Sequence, residues 1–232
     1  MLLKFLVVNM KVNMNSKILI PARGGSKRIP KKNLVDLNGK PLLQYVIETS
    51  KNITDEIYVS TDNNDIKKFA ESMDVNVIQR PKSLSTDETK TEDVVQHFLK
   101  KVNTDLFCVV QPTSPLLHYY SILFGIEQME MPLDIQSSYD SIISVCEDVN
   151  YYWGKDGVPI NFELGNRKRT QEHQTWYREN GAFYITTKHN FLKSNILQNG
   201  NVGYVVMEEK ESIDIDTYED LELANQIIRS TE

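Results

Sequence analysis

The sequence predicts an α/β fold: a mainly parallel sheet flanked by helices. From Lys17 onward, short β-branched runs alternate with longer helical patterns, the signature of βαβ units. Polar residues follow directly on each run, where strands of an open α/β sheet release the chain at one edge. The 232 residues are 40% hydrophobic and 25% charged, which suits one globular domain with a substantial core.

The elements follow in order. The run KILIPA, 17–22, is the first strand, and after a basic loop a helix is expected over 41–51. EIYVSTD, 56–62, is the second strand, and Asp62 and Asn63 stand where a helix cap belongs before 64–73. VNVIQR, 75–80, leads to a helix over 91–101 that opens with Thr91, Glu92 and Asp93, acidic residues near the positive end of its dipole. LFCVVQPT, 106–113, leads to a helix over 119–131. Beyond DSIISVCED the alternation loosens into a polar stretch over 149–178, then returns in GAFYITT, GYVVMEE and a closing helix over 218–229. No repeat or linker interrupts this pattern. Residues 1–16 read as an extension ahead of a single domain over 17–232, with Met14 as an alternative start.

Composition narrows the function. The formal net charge of -6 and the absence of a basic stripe argue against nucleic acid as a partner. The apolar block MLLKFLVV is too short for a membrane span or a signal h-region, so no membrane partner is expected. Cys108 and Cys146 sit in apolar runs and read as buried reduced thiols, in keeping with a cytoplasmic protein. His97, His118, His173 and His189 have no metal-ligand spacing.

Against that acidic total, Arg23, Lys27, Arg28, Lys31 and Lys32 crowd into ten residues around Gly24, Gly25 and Ser26. Such a loop either is a solvated turn or cradles phosphates with backbone N–H groups and cations, and mutual repulsion of five cations calls for an anion among them. In the late motif SIDIDT, Asp214 and Asp216 share one face of an extended segment while Ile215 turns away. Two such carboxylates suit Mg2+ shared with substrate phosphates; the plainer reading has Asp216 cap the next helix. QPTSPL offers Gln111, Thr113 and Ser114 in a rigid strand-exit turn. RENGAFYI places Arg178, Asn180 and Gly181 before an aromatic strand, either a ligand contact or a bulge. The loop 165–174 carries Arg167, Lys168 and Arg169, a solvated loop or a carboxylate clamp.

These motifs, IPARGGSKRIPKKN, STD, RP, QPTSPL, RENGAFYI and SIDIDT in this order, resemble the acylneuraminate cytidylyltransferases, the CMP-sialic acid synthetases and their bacterial relatives. The resemblance runs from about Lys17 to the C-terminus. It implies a Rossmann-like nucleotide-diphosphosugar transferase fold, with a dimerisation and specificity section near 140–190. It also implies a homodimer, a Mg2+ requirement, and transfer of CMP from CTP to a nine-carbon 2-keto acid with release of pyrophosphate. By position, Arg23, Gly24, Gly25, Ser26 and Lys32 hold the triphosphate, and Asn33, Arg80, Thr89 and Thr91 the nucleotide. Gln111, Thr113, Ser114, Asn180 and Gly181 fall to the sugar, with Arg169 favoured over Arg167 and Arg178 as its carboxylate clamp. Asp214 and Asp216 hold the metal, and with Arg23 and Lys32 carry catalysis. The usual proline of the clamp loop is replaced near Gln174, which departs from the family pattern. The sibling enzymes for the eight-carbon acid Kdo lack this opening loop, and longer animal members carry a second domain not expected here.

Overall fold

A computed structural model describes residues 16–130, 139–166, 169 and 175–231. Nine strands and six helices carry the described chain. They are β1 (Lys17–Pro21), β2 (Asp36–Leu37), β3 (Lys40–Pro41), α1 (Leu42–Lys51), β4 (Ile57–Thr61), α2 (Asn64–Ser72), β5 (Asn76–Gln79), α3 (Thr91–Leu99), β6 (Leu106–Val110), α4 (Tyr119–Glu130), β7 (Ser141–Asp148), β8 (Trp176–Thr187), α5 (Lys188–Ser194), β9 (Val202–Met207) and α6 (Tyr218–Thr231). Seven strands form one sheet in the order β5-β4-β1-β6-β8-β7-β9, and β2 with β3 forms a small antiparallel ribbon. In the large sheet β8 runs antiparallel to both neighbours and every other pairing is parallel. The expected α/β class with a mainly parallel sheet therefore stands.

Alternation along the central strands sorts side chains to two cores. Ile18, Ile20, Cys108 and Val110 face one side with Val46, Ile47, Ile66, Ile122 and Phe183. Leu19, Phe107 and Val109 face the other with Val95, Phe98 and Phe191. There Phe107 packs against Phe98 and Phe191 with ring centroids 6.1 and 6.0 Å apart, within the range of favourable aromatic pairs. Cys108 and Cys146 are buried free thiols, as their apolar runs predict. Asn63 caps α2, its Oδ1 accepting from the N–H groups of Asp65 and Ile66. No helix among the described residues is long and apolar enough to cross a membrane.

The sequence places the last long strand at 181–187, whereas β8 begins five residues earlier at Trp176. Trp176, Tyr177, Arg178 and Glu179 are all exposed, so no inside-outside alternation marks this half of the strand. Pairing with Val145–Asp148 of β7 holds it, past a register shift between Ile143 and Val145. Gly181 lies in this irregularity with φ +70°, a conformation that a side chain would strain. The bulge reading of RENGAFYI is thus the observed one. Ser16, assigned by sequence to the extension, is buried beside β1.

A third cluster underlies the polar edge of the sheet. Ile29, Leu37, Leu42, Ile215, Leu221 and Ala224 pack together, joining the basic loop, the β2–β3 ribbon, α1 and α6. Ile215 is fully buried, and its N–H donates to Thr113 O at 2.8 Å. Segment 213–217 is therefore anchored without belonging to the sheet, with Ile215 buried between an exposed Asp214 and a half-buried Asp216. Replacing Ile215 with Ala is expected to cost about 2–5 kcal/mol of unfolding free energy, read by urea denaturation.

Candidate active site

The carboxyl ends of β1, β4, β5 and β6 lie along one edge of the sheet, where ligands of open α/β folds bind. A cavity of about 410 Å³ opens there. Its lining comes from both ends of the chain: Arg23, Ser26, Lys27, Arg28, Lys32 and Asn33 from the basic loop, Asp87 from the segment before α3, Gln111, Pro112 and Thr113 after β6, and Asp216 before α6.

Each cation of the basic loop has a carboxylate partner. Lys32 Nζ donates to Asp216 Oδ1 at 3.0 Å and to Ile215 O at 2.8 Å. Arg28 Nη1 approaches Asp216 Oδ2 at 3.1 Å. Arg23 Nη1 donates to Asp87 Oδ1 at 2.7 Å, Lys27 pairs with Asp87 Oδ2, and Lys31 with Asp65 at 3.4 Å. Side-chain carboxylates therefore stand among all five cations. The Lys32–Asp216 pair is part-buried, whereas the pairs of Lys27 and Lys31 are exposed, and pairs so open to water are weak and exchangeable.

Two carboxylates remain in tension. Asp214 is exposed at the segment's rim, yet the protein crowded around it pushes its pKa up, the neighbouring Asp216 adds repulsion, and a hydrogen bond from Thr113 opposes both. The helix-cap reading of Asp216 does not hold: Thr217 and Asp220 perform that task, Asp220 Oδ2 accepting from Thr217 N at 2.8 Å and Asp220 N donating to Thr217 Oγ1 at 3.3 Å. Hard carboxylate oxygens that repel each other beside an open cavity fit Mg2+, which takes one or two carboxylates plus phosphate and water. Among the described residues no group of three or more His, Cys, Asp or Glu could hold a metal alone.

Other sequence-predicted residues divide between open and structural. Gly24 donates its N–H to Asp62 Oδ1 at 2.9 Å, so this donor is already committed. A Cβ on Gly24 would lie 2.7 Å from Asn63 Cβ, which accounts for the glycine, whereas nothing lies within 4 Å of one on Gly25. Asn33 is buried, its Nδ2 donating to Arg23 O at 2.8 Å while its Oδ1 has no partner. Arg80 is buried with Nε and Nη2 unpartnered; burial lowers its pKa, Asp62 opposes that, and Arg23 adds to it. Arg80 is absent from the cavity lining. Thr89 closes its own loop, its Oγ1 accepting from Thr86 N at 3.1 Å, and Thr91 opens α3.

Three residues expected at the sugar are otherwise engaged. Ser114 is buried, its N–H donating to Gln111 O at 3.3 Å inside the strand-exit turn. Asn180 is buried, with Nδ2 donating to Ser212 Oγ at 2.8 Å and Oδ1 accepting from Ala182 N at 3.2 Å, so it braces the β8 bulge. Arg178 is exposed, 3.9 Å from Asp148, which is buried and also accepts from Tyr152 Oη. Arg169 is exposed; Arg167, Lys168, His173 and Gln174 lie outside the described residues, as do residues 1–15. Sequence reasoning missed Asp87 and the cap by Thr217 and Asp220. Asp87 sits in a polar segment with no periodicity, and only the need for a counter-charge hinted at it.

Comparison with known proteins places this geometry. A family model described as cytidylyltransferase matches residues 17–228. Over 218 residues the chain is 34% identical to the N-acylneuraminate cytidylyltransferase A of Danio rerio, covering 90% of this chain and 49% of that one. It is 31% identical over 225 residues to the pseudaminic acid cytidylyltransferase of Campylobacter jejuni subsp. jejuni serotype O:2, covering 91% of this chain and 95% of that one. Against several curated relatives, then, the chain spans about half their length. A solved structure of CMP:2-keto-3-deoxy-manno-octonic acid synthetase complexed with CTP superposes with a TM-score of 0.71 at 16% identity, covering 94% of this chain and 99% of that one, which shows a shared fold.

The raised Asp214 pKa has a thermodynamic sign. The folded state holds this proton more tightly than the unfolded state, so its contribution favours folding at low pH and is lost as pH rises through the raised value. Asp214→Asn is therefore expected to raise the melting temperature at neutral pH, with the gain over wild type shrinking as pH falls through the Asp214 pKa. Melting curves across pH check this; a variant less stable than wild type at neutral pH contradicts it.

Proposed function

This chain belongs to the cytidylyltransferase family, and from that premise we propose that it transfers CMP from CTP to the anomeric hydroxyl of a nine-carbon 2-keto sugar acid, releasing pyrophosphate. The acceptor is N-acetylneuraminate or a related nonulosonic acid, as the similarity to N-acylneuraminate and pseudaminic acid cytidylyltransferases supports. One observation carries the reading: four cations of the basic loop and the Asp216 carboxylate line one cavity at the carboxyl edge of the sheet. A magnesium–triphosphate complex needs charges of both signs in one place.

In the reaction the anomeric oxygen bonds to the α-phosphorus while the bond from that phosphorus to the bridging oxygen of the β-phosphate breaks. Negative charge grows on the leaving pyrophosphate. Arg23, Lys27 and Lys32 stand where they stabilise it, and the open surroundings of Gly25 admit phosphate oxygens close to the backbone. Asn33 Oδ1 is a buried acceptor and the Arg80 guanidinium a set of buried donors without partners, and this supports base recognition near them. Gln111 and Thr113 line the cavity and are assigned to the sugar, with Arg169 as the proposed clamp of its carboxylate. Asp214 and Asp216 would hold Mg2+, which would supply charge neutralisation for the phosphates and acidify the sugar hydroxyl.

The working unit is proposed to be a homodimer in a reducing cytoplasm. Exposed Trp153, Val158, Ile160 and Leu164 in the 149–166 stretch, and Trp176 and Tyr177 at the start of β8, give a partner apolar surface to cover. Pseudaminate, legionaminate and KDN share the carboxylate and anomeric centre, and the near full-length match to the pseudaminic acid relative keeps pseudaminate beside N-acetylneuraminate.

The test is pyrophosphate release with CTP and Mg2+ across these acids plus Kdo, each omitted in turn. Release that depends on one nine-carbon acid is expected; CTP binding without release under any condition supports a non-catalytic CTP-binding module instead. Asp216→Asn is expected to lower turnover roughly 10³-fold or more while the protein stays folded. Near-normal turnover removes Asp216 from the chemistry.

A further inference from the structure

Asp87 binds the basic loop as an anionic ligand does. Its two oxygens are divided between two cations: Oδ1 accepts from Arg23 Nη1 at 2.7 Å, and Oδ2 pairs with Lys27 Nζ at 2.5 Å. The contact spans 64 residues, so it is a tertiary choice and not a local turn. The Asp87 side chain is 42% exposed and lines the cavity, so a ligand reaches both it and its partners. Within the segment that carries it, Thr86 N and Thr86 Oγ1 bond to Thr89 Oγ1 at 3.1 and 3.0 Å before the chain enters α3 at Thr91, and Asp87 itself joins the segment to the basic loop.

We infer that Asp87 is a specificity-determining residue, a carboxylate that stands in for a phosphate group on Arg23 and Lys27 and is displaced by a ligand bringing a di- or triphosphate. This rests on the reading of the cavity as a triphosphate site. A carboxylate carries one negative charge, whereas a di- or triphosphate carries several along one chain of oxygens and meets both cations at once, so a polyphosphate outcompetes Asp87 more strongly than the single phosphate group of a nucleoside monophosphate does. The same competition acts on product: when pyrophosphate loosens, Asp87 returns to Arg23 and Lys27 and opposes rebinding. Because Asp87 lies four residues before Thr91, its displacement also shifts the segment leading into α3, which ties phosphate occupancy to the region assigned to the nucleotide.

The probe is inorganic tripolyphosphate without metal, its binding measured by titration calorimetry at low salt, with CMP in a parallel series. Asp87→Asn is expected to bind tripolyphosphate about three- to tenfold more tightly than wild type, the range for freeing two exposed ion pairs. CMP affinity is expected to stay within about twofold. Asp87→Glu keeps the charge and Asp65→Asn removes one that pairs with Lys31, so both should stay near wild type. Equal tightening in Asp65→Asn marks a general charge effect and overturns the proposal, as does unchanged or weaker binding in Asp87→Asn. Weakening seen only when Mg2+ accompanies CTP makes Asp87 a metal ligand and overturns it too. If wild type binds neither tripolyphosphate nor CTP, the triphosphate reading falls and the inference with it; if wild type binds both and Asp87→Asn binds no better, the inference alone falls.

Discussion

Lys32 Nζ donates at once to the carbonyl of Ile215 and the carboxylate of Asp216, joining segments 184 residues apart in sequence. Most features of the cavity depend on this crossing. It fixes the basic loop against the segment before α6, and the buried Ile215 and Ile29 beneath it keep both segments from drifting. A charged pair held over a packed apolar floor has a defined direction, which a pair between two free loops lacks. Arg28, on the other oxygen of Asp216, completes a three-residue bridge over the cavity.

Once the bridge is set, charge balance governs the rest. Five cations close together destabilise a loop unless anions stand among them, and Asp87, Asp216 and Asp65 supply those anions. Asp216 neutralises cations, while burial pushes the Asp214 pKa up, a hydrogen bond from Thr113 and the charge of Lys32 oppose that rise, and the neighbouring Asp216 and Asp220 add to it. Unfavourable charge energy concentrated at one edge of the sheet is the usual mark of a binding edge.

Legibility differed between motifs for physical reasons. The basic loop and the two aspartates were readable because their residue types are costly to crowd together without a ligand or partner. Asn180 and Ser114 also have structural work: the Asn180 side chain bonds Ser212 Oγ and Ala182 N at the bulge, and the Ser114 backbone N–H closes the turn after β6. Gly24 was half legible. Its glycine identity pointed to the loop, yet the reason is its closeness to Asn63 and not an open N–H.

The sequence by itself determined the α/β class, the order of its elements, the edge where polar residues gather and the two charged motifs, because periodicity and composition act over a few neighbours at a time. It did not reach the start of β8, where both faces of the strand are open and no alternation is written. Nor did it reach the pairing of Asp87 with Arg23 and Lys27, or the transfer of the helix cap from Asp216 to Thr217 and Asp220. Those were decided by tertiary structure. Which carboxylate meets which cation depends on the distances left after the cores close, and no local pattern encodes a contact made across 64 or 184 residues.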